Sequence, residues 1–252
     1  MNVSIEIPPD GPLFEGHFPG RPILPGISEL VLVARALGPA CGGTDVAAIP
    51  YARFRGLVLP SAKLEVTAEA QGDGSVRFEV RRAAELVANG AMTFGVPSLE
   101  DGGATAVASR APRRAPPLSE LIPHRPPMLF VERILGEADD GATCLGRVPG
   151  ACALVAGGST PAFVALEAAA QTAAVWEALR RSRASGTAEA RMGYLVSLKD
   201  VVLHRRTIPA DTDLIASVRL VAEAAPLTTY AVDVVVEGGL ALRGTIGTYL
   251  SG

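Results

Sequence analysis

Residues 14–26 read Phe-Glu-Gly-His-Phe-Pro-Gly-Arg-Pro-Ile-Leu-Pro-Gly and lead directly into the apolar stretch ISELVLVARAL at 27–37. Proline fixes φ and glycine permits turns that other residues avoid, so this loop suits the presentation of one side chain in a fixed place. The stretch that follows has apolar residues at nearly every helical turn position. This pattern predicts a largely buried helix with His17 in the loop that precedes it.

Alternating apolar and polar residues surround this helix and predict an antiparallel sheet. The pattern occurs in five stretches of the first hundred residues, at 3–7, 52–59, 63–70, 76–82 and 87–95. The sequence QGDGS, between the third and fourth of these, is typical of a hairpin turn. The order is strand, loop, one buried helix and then an antiparallel meander.

The second half repeats this order. It contains predicted strands at 128–135, 143–148, 194–206, 213–223, 228–238 and 240–250, with a loop at 149–160 and a helix at 162–182. A helix that is apolar nearly all round must be enclosed. We therefore predict an α+β fold in which one helix is wrapped by a curled antiparallel sheet, twice. The alternative is two unrelated α+β domains.

Composition separates the two halves and limits the function. The proline- and glycine-rich stretch 98–116 predicts a linker between domains at 1–97 and 117–252. A net charge of −3 predicts no nucleic-acid partner, and the three cysteines form neither a disulfide framework nor a zinc motif. Without a signal-peptide pattern or a long apolar run, we expect a cytoplasmic protein with no membrane insertion.

His17 and Gly26 suggest chemistry on an acyl thioester. Gly26 stands at the start of the predicted helix, where backbone N–H groups lack intrahelical partners and the helix dipole favours negative charge. A nearby imidazole could remove an α-proton while the Gly26 N–H stabilises the charge that develops on the carbonyl oxygen. The alternative is a structural histidine.

The loop GHFPGRPILPG resembles the signature of the β-hydroxyacyl-acyl-carrier-protein dehydratases, which have the hot-dog fold. The resemblance implies that His17 is the catalytic base and that Gly26 supplies the oxyanion N–H. It also implies that Phe18 and Pro25 support the loop or the substrate tunnel. In this family an acidic residue on the central helix follows the histidine by fourteen positions, and here that position is Val31.

The acid missing from the first half is present in the second. LIPHRPPMLFVERI at 121–134 and PAFVALEAAAQ at 161–171 resemble the opening segment and the central helix of the same family. Their alignment puts Glu167 at the position of the acid and Ala153 at that of the histidine. The resemblance therefore implies one composite site, His17 with Glu167, in an intrachain pseudo-dimer. Phe163 and Gln171 are its predicted supports.

This division resembles a fusion of the two subunits of the heterodimeric aryl-polyene dehydratases. Glu29 lies two residues from Val31, about 200° round the helix, and is predicted to point elsewhere. Apolar neighbours predict a raised pKa for Glu167, which would suit an acid. The alternative for Glu167 is a buried carboxylate paired with Gln171.

The implied activity is dehydration of (3R)-hydroxyacyl-acyl-carrier-protein thioesters to trans-2-enoyl thioesters in fatty acid, polyene or polyketide-type biosynthesis. The expected partners are an acyl carrier protein and, beyond it, ketosynthase and ketoreductase enzymes, and a further pairing of chains is left open. No cofactor and no metal are expected. Alternatives on the same fold are a dehydratase/isomerase, a hydratase, a thioesterase and a non-catalytic acyl-binding module.

Basic residues near the predicted tunnel mouth are candidates for docking an acidic carrier protein. These candidates are Arg21, Arg180, Arg181 and Arg183. The alternative for the last three is stabilisation of a helix C-terminus. Among the remaining candidates, we expect a structural role for His124, a solvated position for His204 and a packing role for Trp176.

Overall fold

Two helices are each enclosed by antiparallel strands in the computed structural model, which describes residues 1–97, 116–185 and 190–251. Except for residue 116, the predicted linker lies outside the described residues. The first half contains β1 (Asn2–Glu6), α1 (Gly26–Leu37), β2 (Val46–Phe54), β3 (Lys63–Ala70), β4 (Ser75–Arg82) and β5 (Glu85–Phe94). A short 3-10 turn, Gly38–Ala40, follows α1.

The second half repeats the arrangement with additions. It contains α2 (Leu118–Leu121), β6 (Val131–Ala138), β7 (Gly141–Gly146), β8 (Ser159–Pro161), α3 (Leu166–Ser185), β9 (Gly193–Leu203), β10 (Thr207–Pro209), β11 (Leu214–Ala224), β12 (Leu227–Val236) and β13 (Gly239–Leu250). A 3-10 turn, Ala162–Ala165, precedes α3. The predicted helix at 162–182 therefore begins as a 3-10 turn and ends later than expected.

One sheet joins the two halves. In the described part of the chain, eleven strands lie in the order β1-β3-β4-β5-β2-β9-β13-β12-β11-β7-β6. The halves meet where β2 pairs antiparallel with β9, with Ala48 opposite Val202 and Arg53 opposite Ser197. This shared pairing continues the sheet from one half into the other and brings the loop of the first half close to the helix of the second.

Both helices are buried because apolar side chains cover most of their surface. On α1, Ile27, Leu30 and Leu37 are completely enclosed. On α3, small residues such as Ala168 allow the sheet to approach closely. The prediction that Trp176 packs is confirmed: its indole N–H donates to Ala138 O at 3.0 Å, and its ring meets that of Tyr230 edge-on.

Two predicted strands differ from the observed ones for local reasons. β6 begins at Val131 rather than at residue 128, because the N–H groups of Phe130 and Val131 donate to the Gln171 side chain. β2 occupies 46–54 rather than 52–59, and Leu57 lies beyond its end in the wall of a pocket. Among the described residues, no helix combines the length and apolar character needed to cross a bilayer.

Candidate active site

The loop before α1 fixes the His17 ring and its tautomer. The side chain is buried, and its Nδ1 lies 3.0 Å from the carbonyl oxygen of Ile23. A carbonyl oxygen only accepts, so Nδ1 carries the hydrogen and Nε2 keeps the lone pair. The Phe18 ring stacks on the imidazole with centroids 4.1 Å apart. His17 is therefore held with a basic nitrogen directed away from Ile23.

At Gly16 the backbone of this loop is in direct contact with the second half of the chain. The N–H of Arg125 donates to Gly16 O at 3.0 Å. Gly16 has φ +81°, and a Cβ at this position would lie 2.0 Å from Arg125 O. Only glycine permits this backbone conformation together with so close an approach. The contact places His17 against the segment that contains His124.

The first turn of α3 supplies the carboxylate. Glu167 Oε1 accepts hydrogen bonds from Gln171 Nε2 at 3.0 Å and from His124 Nε2 at 3.3 Å. Gln171 is itself held, because its Nε2 also donates to Met128 O at 2.7 Å and its Oε1 accepts from Phe130 N at 2.8 Å. The carboxylate is therefore fixed through Oε1. No described residue donates to Oε2.

His17, His124 and Glu167 converge. One ring nitrogen of each histidine and one carboxylate oxygen of Glu167 all lie within 4.8 Å of one another. The exposed fractions of the three residues are 8%, 6% and 4%. The structure thus brings together the predicted base of the first half and the predicted acid of the second half. Sequence reasoning missed the place of His124 because its partner Glu167 is 43 positions away on another element.

The charges in this cluster set the protonation states. Burial lowers the pKa of His17, and the attraction of Glu167 offsets only part of this effect. Burial alone would raise the pKa of Glu167. The hydrogen bond and charge of His124, helped by His17 and Gln171, outweigh burial and hold that pKa below its ordinary value. The predicted raised pKa of Glu167 is wrong, because the prediction did not include His124.

Two imidazoles and a carboxylate are side chains that a divalent cation can bind. Here His124 Nε2 and Glu167 Oε1 face each other at hydrogen-bond distance, and the Gln171 amide donates to the same oxygen. These contacts describe a hydrogen-bonded acid–base cluster.

A long pocket begins at this cluster and follows α3. Its wall on this helix consists of Glu167, Ala170, Ala174, Glu177 and Arg181. These residues recur every three or four positions and so share one face, with about 21 Å from first to last. The alanines leave room above the helix. The shape suits an extended chain whose reactive end lies at His17 and Glu167.

Gly26 lies in the same pocket wall, at the start of α1. Pro25 precedes it as the N-cap residue, and no side chain caps the helix. The first N–H groups of α1 therefore have no intrahelical acceptor. A Cβ at Gly26 would lie 3.2 Å from the Phe54 ring, so a larger residue would press on that ring.

Three of the predicted supporting residues lie behind the pocket wall. Phe18 packs against both histidines, stacked on His17 and with its ring edge-on to His124 at 4.9 Å. Pro25 accepts hydrogen bonds from the first turn of α1 through its carbonyl oxygen. Phe163 lies on the 3-10 turn before α3, and its side chain is buried in the hydrophobic core. They support the groups that face the pocket.

Glu29 lines the pocket, so the prediction that it points elsewhere is wrong. It lies three residues after Gly26 and so shares the helix face that Gly26 presents to the pocket. Its exposed fraction is 3%, and its Oε2 has no hydrogen-bond partner among the described residues. Burial raises the pKa of Glu29 well above its ordinary value. It is a further carboxyl group in the pocket, beside Glu167 and Glu177, and its burial favours the neutral form.

We expect Glu29→Leu to stabilise the protein, and more so at pH 8 than at pH 5. The raised pKa means that Glu29 contributes full stability only below its unfolded pKa, and this is lost as pH rises through the folded pKa. Removing an unpaired buried polar group should gain about 1–3 kcal/mol. Thermal unfolding at the two pH values measures this.

Glu29→Gln is the control for that experiment. It cannot ionise, so it should show the same pH-dependent gain while it keeps a buried polar group. The prediction is contradicted if the difference in Tm between wild type and each variant is the same at both pH values. Glu29 would then not have a raised pKa in the folded protein.

The α3 arginines predicted to dock a carrier are engaged within the chain. Arg180 forms an ion pair with Glu223, and Arg183 forms one with Glu137 at 3.2 Å. Arg181 lies 3.6 Å from a carboxylate one turn earlier on its own helix and lines the far part of the pocket. These contacts agree with the alternative, stabilisation near the end of the helix. Docking through these residues stays a prediction.

Arg21 has a different setting. It is exposed in the loop before α1, and its Nη1 lies 3.7 Å from the sulfur of Met192. It also lines a shallow surface groove with Leu57 and Leu59, both partly exposed. Leu57 belongs to the wall of the long pocket as well. Of the four candidate arginines, Arg21 is thus the one beside an apolar opening.

A second cavity lies between α1 and the second half. Val31 lines it, together with Leu154 and Thr160 from the other half. Its ionised side chains include Arg206 and Asp45, which pair at 3.4 Å. No histidine lines this cavity among the described residues. The position on α1 where the resemblance would place an acid is occupied by Val31. The chain has one acid–base cluster in its described part, between the loop of the first half and the helix of the second.

Comparison with known proteins gives a separate match for each half of the chain. Residues 116–251 match the family model described as ApeP dehydratase, and residues 1–91 match the model described as ApeI dehydratase. The chain belongs to the ApeP-like dehydratase family, with an ApeI-like first half. The predicted resemblance to a fusion of two dehydratase subunits is confirmed.

Curated relatives of this ApeP-like chain match a shorter stretch. The 3-hydroxyacyl-[acyl-carrier-protein] dehydratase FabZ of Lactobacillus helveticus is 34% identical over 96 residues, which cover 33% of this chain and 65% of the relative. FabZ of Klebsiella pneumoniae is 38% identical over 90 residues, 31% of this chain and 57% of the relative. The matched stretch is thus less than two thirds of either relative.

Solved structures confirm the double hot-dog fold. A trans-AT PKS dehydratase domain from Brevibacillus brevis superposes with a TM-score of 0.71 at 13% identity and covers 100% of this chain and 94% of its own. The dehydratase heterocomplex ApeI:P from Xenorhabdus doucetiae gives a TM-score of 0.50 at 20% identity, over 55% of this chain and 93% of that one. The ApeP-like chain shares its fold with both.

Proposed function

We propose that the chain dehydrates (3R)-hydroxyacyl thioesters on an acyl carrier protein to trans-2-enoyl thioesters, in fatty acid, polyene or polyketide-type biosynthesis. The observation that carries the proposal is the convergence of His17 and Glu167, one from each half, within 4.8 Å at the start of a long pocket. We further propose that 1–97 and 117–252 are the two domains of an intrachain pseudo-dimer with this single shared site.

His17 is the base in this reaction. Its Nδ1–H donates to Ile23 O, and burial keeps the imidazole neutral, so Nε2 is free to take the C2 proton of the substrate. The electrons of that C–H bond move toward the thioester carbonyl. The Gly26 N–H at the start of α1 stabilises the negative charge that develops on the carbonyl oxygen.

Glu167 acts on the leaving hydroxyl at C3. Its Oε1 is held by Gln171 and His124, so Oε2 is the atom left to meet the substrate. As the C3–O bond breaks, the electron pair from C2 forms the new double bond, and the hydroxide leaves with a proton delivered through Glu167. The product is a trans-2-enoyl thioester and one water.

The test is incubation with a 3-hydroxyacyl carrier protein, followed by mass spectrometry of the acyl chain. Loss of the mass of one water in wild type, and no loss in His17→Ala, supports the dehydratase. An unchanged acyl chain that still binds would identify an acyl-binding module. Release of the free acid would identify a thioesterase.

A further inference from the structure

His124 is a buried titratable group that the mechanism above leaves without a role of its own. It lines the pocket with His17 and Glu167, and its exposed fraction is 6%. Its Nε2 faces Glu167 Oε1 at 3.3 Å, while its Nδ1 is buried and has no partner among the described residues.

Glu167 needs a source for the proton that it passes on. With its pKa held below the ordinary value, the carboxylate is ionised at neutral pH and has no proton of its own to give. Gln171 donates to Oε1, but an amide does not release a proton at neutral pH. His124 is the remaining donor to this carboxylate among the described residues, and an imidazole ring, unlike an amide, can both release and accept a proton.

We propose that His124 holds the proton that Glu167 conveys to the departing hydroxyl, so that His124 and Glu167 act as one acid. His124 acts through Glu167 and is therefore a positioning residue. This inference rests on the proposed dehydration and names the origin of its second proton.

The proton balance closes within the three side chains. His17 Nε2 gains the C2 proton, and the C3–O electrons leave with the hydroxyl group. A proton moves from His124 Nε2 to Glu167 and from Glu167 to this oxygen, which departs as water. Afterwards His17 carries one proton more and His124 one fewer. The ring centroids of His17 and His124 lie 5.3 Å apart, so a water between them can return the proton.

Every element packed around His124 contributes to this balance. The first-half loop supplies His17 and the apolar Phe18 ring, and α3 supplies Glu167. Behind Phe18, the ring of Tyr194 on β9 lies 6.3 Å away. Arg125 directs its guanidinium to carbonyl oxygens of residues 119, 122 and 124. The carboxylate that faces the His124 ring is therefore Glu167.

His124→Gln separates the proposed role from simple positioning. A glutamine amide can still donate to Glu167 but cannot store a proton. We expect kcat to fall about 100-fold with KM changed less than about threefold, a loss typical of general acid catalysis. If His124 holds the proton, the alkaline limb of the pH profile should disappear or move to lower pH in this variant. Unchanged kcat and pH profile would overturn the proposal.

His204→Gln is the matched control. His204 belongs to the same half, is half-buried and also has a buried, unpartnered Nδ1, but it lies outside the long pocket. We expect its variant to match wild type in kcat and in both limbs of the pH profile. An equal loss in both histidine variants would mean that the effect is structural.

Side-chain ¹⁵N NMR of the wild-type chain tests the same claim without activity. The chain has three histidines, so each ring can be assigned by substitution. We expect His124 to carry protons on both ring nitrogens at neutral pH and to lose one in Glu167→Gln, while His17 is protonated on Nδ1 alone. A singly protonated His124 in wild type would overturn the proposal even if His124→Gln fails to fold.

Different results contradict the proposed function and the proposed role of His124. Wild type that removes no water from a 3-hydroxyacyl thioester contradicts the proposed function itself. A wild type that is active, with an inactive His17→Ala and an unaffected His124→Gln, contradicts only the role of His124.

Discussion

His17→Ala and Glu167→Gln should each reduce the rate of dehydration by about 10²–10⁴-fold, the usual contribution of a general acid or base. His17 is the neutral imidazole whose Nε2 faces the pocket, and no other described histidine nitrogen is fixed by a backbone carbonyl in this way. Glu167 is the carboxylate that Gln171 and His124 hold beside it. Single-turnover rates with a 3-hydroxyacyl carrier protein measure both losses.

The two losses should not multiply. If both side chains serve one elimination, as proposed, the double variant should lose much less than the product of the single effects. His204→Ala, a histidine outside the pocket, is the control for nonspecific damage. A Glu167→Gln enzyme with nearly full activity would remove Glu167 from the mechanism, and multiplicative losses would indicate that the two residues act independently.

Gly16→Ala should cost about 2–5 kcal/mol of stability, from a left-handed backbone and a forced contact. The new Cβ would lie 2.0 Å from Arg125 O, and both atoms belong to backbones that cannot rotate away. Relief requires the loop before α1 to separate from the second half. We expect Tm to fall by about 10 °C and dehydration to fall with it, because the separation moves His17 from Glu167.

Gly20→Ala is the matched control in the same loop. Gly20 has φ +76°, close to the +81° of Gly16, but a Cβ there would meet nothing within 4 Å. It should cost only the backbone strain, about 1–2 kcal/mol. Equal destabilisation by the two variants would show that the contact between Gly16 and Arg125 does not hold the halves together.

Local pattern was sufficient to predict the two buried helices and most of the strands. The apolar surface of 27–37 and the alternation in 63–70 correspond closely to α1 and β3. The pairing of His17 with Glu167 was implied by the resemblance of the loop and of the second-half helix to the dehydratase family. Short elements such as β8 and β10 were missed, because three residues carry no periodicity.

The electrostatics of the site could not be predicted from local pattern. The neighbours of Glu167 on its own helix are apolar and predicted a raised pKa, whereas His124 arrives from a segment far away in the chain and reverses the direction. The angle between Glu29 and Val31 on the helix predicted that Glu29 points away from the site. The pocket instead lies against the face of α1 that Gly26 and Glu29 share. Protonation states depend on contacts between distant segments.

The composite site within one chain is tested most directly by mixing His17→Ala and Glu167→Gln protein, co-refolding them and measuring dehydration. If each chain builds its own site from its two halves, every chain carries one broken partner and the mixture stays as inactive as its components. We predict no recovery. Substantial recovery of activity would mean that His17 of one chain meets Glu167 of another, and would contradict the intrachain pseudo-dimer.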